Sequence, residues 1–380
     1  MISEIPFNKA YLTGKEADYF NRVLYIGSLS GKEIFGGKCL DFFSNRYTFK
    51  NAHLTTSCTS ALEISAILSG IKQGDEVILP SYTYVTTATA FVLRGAKIIF
   101  ADSLKENPNI DVSEIEKLIT PKTRAIVAVH YAGIACDMDR ISALAAKYNL
   151  FVIEDAAHAI DAFYKNRPLG SLGHFGALSF HETKNITCGE GGLLILNDDR
   201  FFERAEIVLD KGTNRRAFMD GQINKYEWVD LGSSFRLSET AASFLLAQLE
   251  AINFIQQRRL VIWNRYFNEL KELDPDGLVK LPVIPDYAEH NASIFYLVCN
   301  HAVTRAGLIA RLSEKGIAAT FHYQPLHLSP YYLSQKNERL ELPNAELFGD
   351  CLVRLPLYPS LTDKDVDFIV SEVKNSIREL

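Results

Sequence analysis

The sequence lacks the marks of several large protein classes. It has no apolar run of the roughly 20 residues that a membrane-spanning helix needs, and its first residues show no basic segment followed by an apolar one. Neither G-x-x-x-x-G-K-S/T nor G-x-G-x-x-G occurs, so nothing supports a nucleoside-triphosphate enzyme or an NAD enzyme. The net charge of −6 carries no block of like sign, which argues against nucleic-acid binding. We therefore predict a soluble, cytoplasmic protein that binds neither nucleic acid nor membrane.

The cysteines also form none of the sequence patterns that are typical of metal-binding or redox-active cysteines. The six cysteines form no C-x-x-C pair and have no histidine at zinc spacing, so we predict no metal site. They are expected to be reduced and mostly buried thiols. They are Cys39, Cys58, Cys136, Cys188, Cys299 and Cys351.

Short apolar runs alternate with segments of helical period. A chain of 380 residues exceeds one ordinary core, which predicts a large domain (residues 1–246) and a smaller one (residues 247–380). The apolar runs are continuous rather than alternating, as in strands buried on both faces of a parallel sheet. They predict an α/β protein. The predicted strands of the large domain are residues 77–79, 98–100, 125–129, 151–154, 177–180 and 193–196.

The smaller domain is predicted to mix helices and strands. Strands are expected at residues 294–298 and 318–320, and a helix at residues 304–314 with Thr304 as its N-cap. Two further helices are expected to begin at Asn344 and Thr362. The segment 238–251 is helix-patterned and leads toward this domain.

A hydroxyl-rich segment precedes the first apolar helix of the large domain. Residues 55–60 read Thr-Thr-Ser-Cys-Thr-Ser before an Ala/Leu/Ile helical pattern. The free N–H groups and the dipole of a helix N-terminus favour an anion, above all phosphate. The alternative is ordinary N-capping, although one hydroxyl would suffice for that.

Two more groups follow predicted strands, where open α/β sheets bind their ligands. Tyr82 and Tyr84 come after the strand at 77–79, and either is a candidate platform for a flat ring or a core tyrosine. Asp155 directly follows the strand at 151–154, with His158 three residues on. That aspartate either caps a helix or keeps a heterocyclic nitrogen protonated.

The turn between the strands at 177–180 and 193–196 carries a single lysine. Lys184 lies there with Gly189, Gly191 and Gly192, which allow positive φ and close approach of another group. Such a lysine is either an imine-forming amine with a depressed pKa or a solvated surface residue. Taken with the preceding features, the set supplies partners for the phosphate, ring face, ring nitrogen and aldehyde of pyridoxal phosphate.

Several motifs resemble those of a known enzyme family. Residues 154–158 (Glu-Asp-Ala-Ala-His) and 179–184 (Ser-Phe-His-Glu-Thr-Lys) carry most of the likeness, with 189–192 and 321–327 adding to it. The chain resembles the fold-type I, aspartate-aminotransferase-like enzymes, and within them the DegT/DnrJ/EryC1/StrS sugar aminotransferases. The resemblance covers essentially the whole chain.

The resemblance implies roles for particular residues. It makes Lys184 the lysine that forms the Schiff base with pyridoxal phosphate and that moves the proton. The implied cofactor contacts are Asp155 to the ring nitrogen, Tyr84 stacked on the ring, Cys58, Thr59 and Ser179 at the phosphate, and His158 near the ring. Ser234 stands where many members carry an asparagine that reaches the neighbouring subunit's cofactor phosphate, and its hydroxyl can still donate.

The resemblance also implies a reaction and an assembly. It points to transfer of an amino group from glutamate to C4 of a dTDP-4-keto-6-deoxy sugar used in surface polysaccharide, by a homodimer with the active site at the subunit interface. Arg215, His322 and Tyr323 are candidate substrate contacts. A surface ion pair for Arg215 and turn positions for the other two are the alternatives.

Three other functions fit the sequence less well. A sugar 3-dehydratase of this fold would carry histidine in place of Lys184. A cysteine desulfurase would need a reactive cysteine, and the nearby Cys188 is expected to pack beside the glycines instead. A cofactor-binding regulator would need a further domain, for which 380 residues leave no room.

Overall fold

The computed structural model describes residues 4–27, 29, 34–49, 51–335 and 339–380. No helix within these ranges is long and apolar enough to cross a membrane. The strands are β1 (Asn51–Thr55), β2 (Glu76–Pro80), β3 (Lys97–Ala101), β4 (Thr123–Val129), β5 (Phe151–Asp155), β6 (Phe163–Tyr164), β7 (Arg167–Pro168), β8 (Phe175–Ser179), β9 (Gly192–Leu196), β10 (Val279–Lys280), β11 (Ala288–Glu289), β12 (Tyr296–Cys299) and β13 (Leu352–Arg354).

The α-helices alternate with these strands through the first half of the chain. They are α1 (Glu16–Ile26), α2 (Ile34–Tyr47), α3 (Cys58–Leu68), α4 (Val85–Val92), α5 (Val112–Leu118), α6 (Met138–Tyr148), α7 (Phe202–Leu209), α8 (Arg215–Met219), α9 (Glu239–Glu250), α10 (Ile252–Leu270), α11 (Ala302–Glu314), α12 (Pro330–Ser334), α13 (Pro343–Cys351) and α14 (Asp363–Arg378).

A seven-stranded sheet forms the centre of the fold, in the order β1-β9-β8-β5-β4-β2-β3. All its neighbours pair in parallel except β9, which runs antiparallel to both β1 and β8. Strands such as β2, β8 and β9 are buried at every residue, because helices cover both faces. The predicted mostly parallel α/β sheet is confirmed.

Several of the predicted site residues lie along one edge of this sheet. The parallel strands β2, β4, β5 and β8 all end on that edge, and β1 ends there too because it is antiparallel to β9. The register pairs Ser179 with Gly192, and Gly192 with Thr55. Hence the end of β8, the start of β9 and the approach to α3 lie side by side.

The C-terminal part builds a second sheet and a second core. Strands β10, β12 and β13 are antiparallel, and the helices α10, α11 and α14 pack with them. The predicted boundary at residue 247 falls inside α9, shortly before the break at Ala251 that separates α9 from α10. The division into domains at that residue stays a prediction.

Two local predictions in this part are wrong. The helix predicted from Thr304 begins at Ala302, and its N-cap is His301, whose side chain makes no capping bond. The strand predicted at 318–320 is absent, since only an isolated bridge joins Thr320 to Arg354. The helix expected from Thr362 is confirmed, with Thr362 as the cap of a capping box.

Candidate active site

The N-terminus of α3 lies against the start of β9. Ser57 is the N-cap, and its Oγ accepts a hydrogen bond from the Ser60 N–H (3.1 Å). A Cβ on Gly192 would lie 2.4 Å from the carbonyl carbon of Ser57 and 2.5 Å from the amide nitrogen of Cys58, so this approach requires glycine. Among the described residues, nothing accepts from the N–H groups of Cys58 or Thr59. Two free donors at the positive end of a helix form an anion-binding position.

Ser179 and Cys58 border the same position. Ser179 is the last residue of β8, and among the described residues its Oγ accepts a single long hydrogen bond, from the His181 N–H (3.4 Å). The Cys58 thiol donates to the carbonyl of Ala177 (3.6 Å), and burial raises its pKa well above the usual range. Cys58 therefore brings a neutral thiol, and it offers an anion its backbone N–H.

Asp155 ends β5 and is held from α4. Its Oδ2 accepts from the hydroxyl of Thr87 (2.6 Å), and its Oδ1 accepts from the N–H of Ala157 (3.2 Å). The Thr87 hydroxyl is also 2.8 Å from that of Thr83, so a short hydroxyl chain fixes the carboxylate. Sequence reasoning missed Thr87, because a threonine inside an apolar helix carries no signal of its own.

Lys184 lies on the turn between β8 and β9. Backbone bonds from Lys184 N–H to the His181 carbonyl (2.9 Å) and from Cys188 N–H to the Phe180 carbonyl (2.9 Å) shape that turn. Burial lowers the pKa of Lys184 to about 8, and the nearby Arg354 adds to the effect. The lysine is thus an amine poised to lose its proton near neutral pH, as a nucleophile or base requires.

Aromatic side chains form one wall beside Lys184. Tyr84, the N-cap residue of α4, is 56% exposed, with its ring 6.0 Å from that of Tyr323. Oη of Tyr323 lies 3.5 Å from Nε2 of His158, whose ring is stacked 5.9 Å from that of His322. The structure brings His158, His322 and Tyr323 together at this wall, and their roles stay predictions.

The two histidines of this wall are neutral. Burial lowers the pKa of both well below the usual range, with the positive charges of Lys184 and Arg354 acting in the same direction. The Ala132 N–H donates to Nδ1 of His158 (3.3 Å), which leaves its proton on Nε2. Oη of Tyr131 lies 2.8 Å from Nδ1 of His322 and holds that ring.

Two arginines beside Lys184 were not singled out from the sequence. Arg354 and Arg259 line a cavity of about 50 Å³ together with Lys184, His158 and His322. Arg354 could have been recognised from the sequence, because it places a charge inside the apolar run Leu-Val-Arg-Leu at residues 352–355. A charged residue in a buried strand needs a partner or a function.

Two predicted residues lie apart from this group. Ser234 is exposed and bridges to Asp210 through the backbone, and Arg215 lies 3.8 Å from the carboxylate of Asp210. No contact within the described ranges joins Ser234 or Arg215 to Lys184. Cys188 packs beside the glycines as predicted, with Sγ 2.5 Å from where a Cβ on Gly191 would lie, and burial raises its pKa to about 12.

Comparisons with known proteins agree over nearly the whole chain. A sequence model described as the DegT/DnrJ/EryC1/StrS aminotransferase family matches residues 41–374. The spore coat polysaccharide biosynthesis protein SpsC of Bacillus subtilis is 35% identical over 337 residues, 87% of this chain and 86% of SpsC. The aminotransferase TlmJ of Streptoalloteichus hindustanus matches with TM-score 0.89 and 27% identity over 100% of both chains. The PLP form of Spr1654, a candidate sugar aminotransferase of Streptococcus pneumoniae, matches with TM-score 0.90 and 25% identity over 99% of both chains.

These matches confirm the predicted fold-type I architecture and show that the cofactor is pyridoxal phosphate. The residues at the sheet edge suit that group chemically. Free N–H groups at the start of α3 suit a phosphate, a carboxylate with an open side suits a protonated ring nitrogen, and an amine of lowered pKa suits an aldehyde.

Proposed function

The chain belongs to the DegT/DnrJ/EryC1/StrS aminotransferase family, and we propose that it moves an amino group from L-glutamate to C4 of dTDP-4-dehydro-6-deoxy-D-glucose. The product is dTDP-4-amino-4,6-dideoxy-D-galactose, a precursor of surface polysaccharide such as enterobacterial common antigen. The observation that carries the proposal is the position of Lys184, an amine of lowered pKa on the turn between β8 and β9, beside His322. We include a cytoplasmic location in the proposal.

The proposed cofactor contacts lie along this edge of the sheet. Lys184 would hold the cofactor through its aldehyde, and Asp155, oriented by Thr87, would pair with the protonated ring nitrogen. Tyr84, with its ring largely exposed, packs on the face of the cofactor ring. The neutral His158 would lie near the ring and carries no charge that would compete with Asp155. The N–H groups of Cys58 and Thr59 and the hydroxyl of Ser179 bind the phosphate.

The proton transfer belongs to Lys184. When bound, pyridoxal phosphate accepts the electron pair left on the donor carbon after deprotonation. The Lys184 amine would take up the proton of the donor carbon and return it at the neighbouring carbon. A pKa of about 8 keeps enough of this amine neutral to act as a base near neutral pH.

The sugar is proposed to enter over the aromatic wall. His322 and Tyr323 reach this side of the site and present a neutral imidazole and a protonated phenol, since burial lowers the pKa of the first and raises that of the second. Such groups suit the hydroxyls of a sugar ring. Arg215, 51% exposed in its side chain, is proposed to meet the nucleotide diphosphate. The printed name of SpsC concerns polysaccharide biosynthesis, which supports this class of product.

We propose that the active enzyme is a homodimer with its site at the subunit interface. The segment after α7 exposes Trp228 (79%) and Met219 (66%), together with Tyr226. A patch of this kind marks an interaction surface. Ser234 follows that segment and is exposed, which suits a hydroxyl that contacts the cofactor phosphate of the other subunit.

A cofactor experiment tests the first half of the proposal. The loaded protein should be yellow and should lose its colour when glutamate is added. Borohydride should attach the cofactor to a peptide that contains Lys184, and Lys184→Ala should abolish attachment and transamination. Lys147→Ala is the matched control, because Lys147 pairs with Glu116 on the surface (2.6 Å). Transamination by Lys184→Ala would overturn the assignment.

A product experiment tests the second half. The enzyme is incubated with glutamate and dTDP-4-dehydro-6-deoxy-D-glucose, and the C4 configuration of the product is read by NMR. An axial amine confirms the galacto product. An equatorial amine would favour the alternative, a family member that makes the gluco-configured sugar, and no amine would direct the search to another nucleotide-linked keto sugar.

A further inference from the structure

A series of hydrogen bonds joins the edge of the central sheet to the C-terminal part of the protein. Ser81 directly follows β2, and its Oγ lies 2.7 Å from Nδ1 of His327. The same Oγ accepts a hydrogen bond from the His327 N–H (3.1 Å), and the Ser81 carbonyl accepts one from the Leu326 N–H (2.9 Å). On its other side, Nε2 of His327 lies 3.2 Å from Oε1 of Glu346 in α13. We call these three side chains the Ser81–His327–Glu346 link.

The partners fix the direction of the bonds in this link. A carboxylate only accepts, so Nε2 of His327 carries a proton and donates it to Glu346. Burial lowers the pKa of His327, although Glu346 acts in the opposite direction, and the second nitrogen of a neutral imidazole is an acceptor. The Ser81 hydroxyl therefore donates to Nδ1. The side chains of Ser81 and His327 thus have a partner for each polar atom.

The link has the residue types of a serine hydrolase, but its geometry is different. Ser81 and His327 are both 0% exposed, so a substrate does not reach the hydroxyl. The serine bonds to Nδ1 and the acid to Nε2, which is the reverse of the order in which such enzymes use a histidine as base. The link therefore acts through the segments that it holds together.

The first of these segments supports the cofactor side of the site. Tyr84, the proposed platform for the ring, lies three residues after Ser81. Between them, the hydroxyl of Thr83 is 2.8 Å from that of Thr87. The Thr87 hydroxyl in turn donates to Asp155 (2.6 Å). A shift at Ser81 would thus move the residues that face the cofactor ring.

The second segment carries the proposed sugar contacts. His322 and Tyr323 precede His327 by five and four residues. The segment also packs closely on α13, since a Cβ on Gly349 would lie 2.5 Å from Cδ of Pro325. His327 and this close packing together fix the segment against α13, and Ser81 fixes it against the central sheet.

We propose that Ser81 and His327 are positioning residues for the amino acceptor. They set the spacing between Tyr84 and Tyr323, whose ring centroids lie 6.0 Å apart. This inference rests on the proposed function, since it explains how the sugar is held over the cofactor ring. The donor reaction depends instead on the turn that carries Lys184, which is shaped by its own backbone hydrogen bonds. Loss of the link should therefore weaken the reaction with the sugar and spare the reaction with glutamate.

The test uses the cofactor-loaded enzyme and follows each half-reaction separately by absorbance. In Ser81→Ala, the apparent affinity of the aminated enzyme for the keto sugar should fall about 3- to 10-fold, because a buried hydrogen bond is lost and Nδ1 of His327 has no donor. The half-reaction with glutamate should stay within about 2-fold of the original.

Two replacements of His327 separate positioning from support of the fold. Asparagine places a carbonyl oxygen where Nδ1 lies and accepts from Ser81, whereas glutamine reaches toward Glu346 and leaves the Ser81 hydroxyl unpaired. His327→Asn should therefore keep most of the affinity for the sugar, and His327→Gln should lose as much as Ser81→Ala. A residue that only supports the fold would give equal losses in both variants and in both half-reactions.

Ser103→Ala is the matched control. Ser103 is as buried as Ser81 and lies at the same edge of the sheet, two residues after β3, but its hydroxyl donates to the nearby carbonyl of Pro108 (3.1 Å). Both half-reactions should be unchanged in this variant. Hydrogen exchange read by mass spectrometry gives a readout without turnover. Residues 321–328 should exchange about 3-fold or more faster in Ser81→Ala and at the original rate in Ser103→Ala.

The outcomes separate this inference from the proposed function. Equal loss in both half-reactions, unchanged affinity for the sugar in Ser81→Ala, or unchanged exchange at residues 321–328 would overturn the positioning role. An unaltered protein that reacts with glutamate and with no keto sugar would overturn the proposed acceptor. The exchange measurement would then decide by itself whether Ser81 holds the second segment.

Discussion

Glu154 and Asp155 are adjacent at the end of β5, and their side chains lie on opposite faces of the sheet. Glu154 is fully buried, and each of its oxygens accepts two hydrogen bonds. Oε1 accepts from the N–H groups of Leu172 and Gly173 (both 2.6 Å), and Oε2 accepts from the Gly170 N–H (2.8 Å) and from Nε2 of His130 (3.0 Å). All its acceptor positions are used within the protein.

Asp155, by contrast, accepts one hydrogen bond on each oxygen from the residues that the structure describes, namely from Thr87 and from the Ala157 N–H. A carboxylate offers about four acceptor positions, so half of those of Asp155 remain for a ligand. The comparison shows what separates a structural acid from one available for chemistry. Burial is similar, but the internal partners of Glu154 are complete and those of Asp155 are not.

The largest effect is expected when Glu154 is changed. Glu154→Gln replaces one oxygen by an amide that donates toward N–H groups which also donate. The free energy of unfolding of the cofactor-free protein should fall by about 3–5 kcal/mol, as for other broken buried pairs, measured in urea. The control Glu116→Gln alters an exposed pair with Lys147 and should change little. A loss no larger than the control's would contradict the structural role of Glu154.

Asp155→Asn should affect catalysis more than stability. The amide is the same size but cannot stabilise a protonated ring nitrogen by charge, so kcat should fall about 100- to 1,000-fold. Unfolding should cost less free energy than in Glu154→Gln, because only two internal bonds are at stake. The measurement pairs steady-state rates with urea unfolding, and near-normal kcat would break the comparison.

Thr87→Val should have a smaller effect of the same kind. Valine keeps the shape of threonine but removes the 2.6 Å bond to Asp155, worth about 1.5–3 kcal/mol for a charged acceptor. We expect roughly tenfold weaker binding of pyridoxal phosphate, measured by titration of the cofactor-free protein. Thr89→Val on the same helix is the control, since Thr89 makes no side-chain bond to a described residue. Equal effects in both variants would count against the orienting role of Thr87.

The fold was more predictable than the site. Buried strands can be recognised in the sequence as continuous apolar runs, and the six predicted in the large domain all appear. An apolar run does not indicate the direction of its strand. The antiparallel direction of β9 is therefore known only from the structure. The edge of the sheet then follows from topology and brings Asp155 and Lys184 to the same place.

The partners of the site residues were not predictable, because they act across the fold. Thr87 donates a hydrogen bond to Asp155, which is 68 residues away in the sequence. Arg354 lines the cavity beside Lys184 although it belongs to the second sheet. Glu154 and Asp155 stand side by side in one motif, and nothing in their order says which is saturated. Arg215 is a candidate for its chemistry alone, and only the structure shows that it lies beside Asp210.

The smallest expected effect is a change in the pKa of Lys184, and it should differ between variants of Asp155 and Glu154. Burial lowers the pKa of Lys184 to about 8 from its usual 10.5, and Asp155 is one of two groups that act in the opposite direction. Asp155→Asn should therefore lower that pKa further. Glu154→Gln should leave it unchanged, since Glu154 faces the other side of the sheet. In the cofactor-free protein, the pH dependence of acetylation at Lys184, read by mass spectrometry, reports the midpoint.

The lowered pKa of Lys184 also makes the stability of the protein depend on pH. Between about pH 8 and pH 10.5 the unfolded chain binds a proton at Lys184 that the folded protein has lost, so this lysine's contribution to stability rises with pH across that window. In Asp155→Asn the window should begin at lower pH, while in Glu154→Gln its lower limit should stay where it is. Equal midpoints in the two variants would mean that the charge of Asp155 does not reach Lys184. The two acids of β5 would then differ only in their hydrogen bonds.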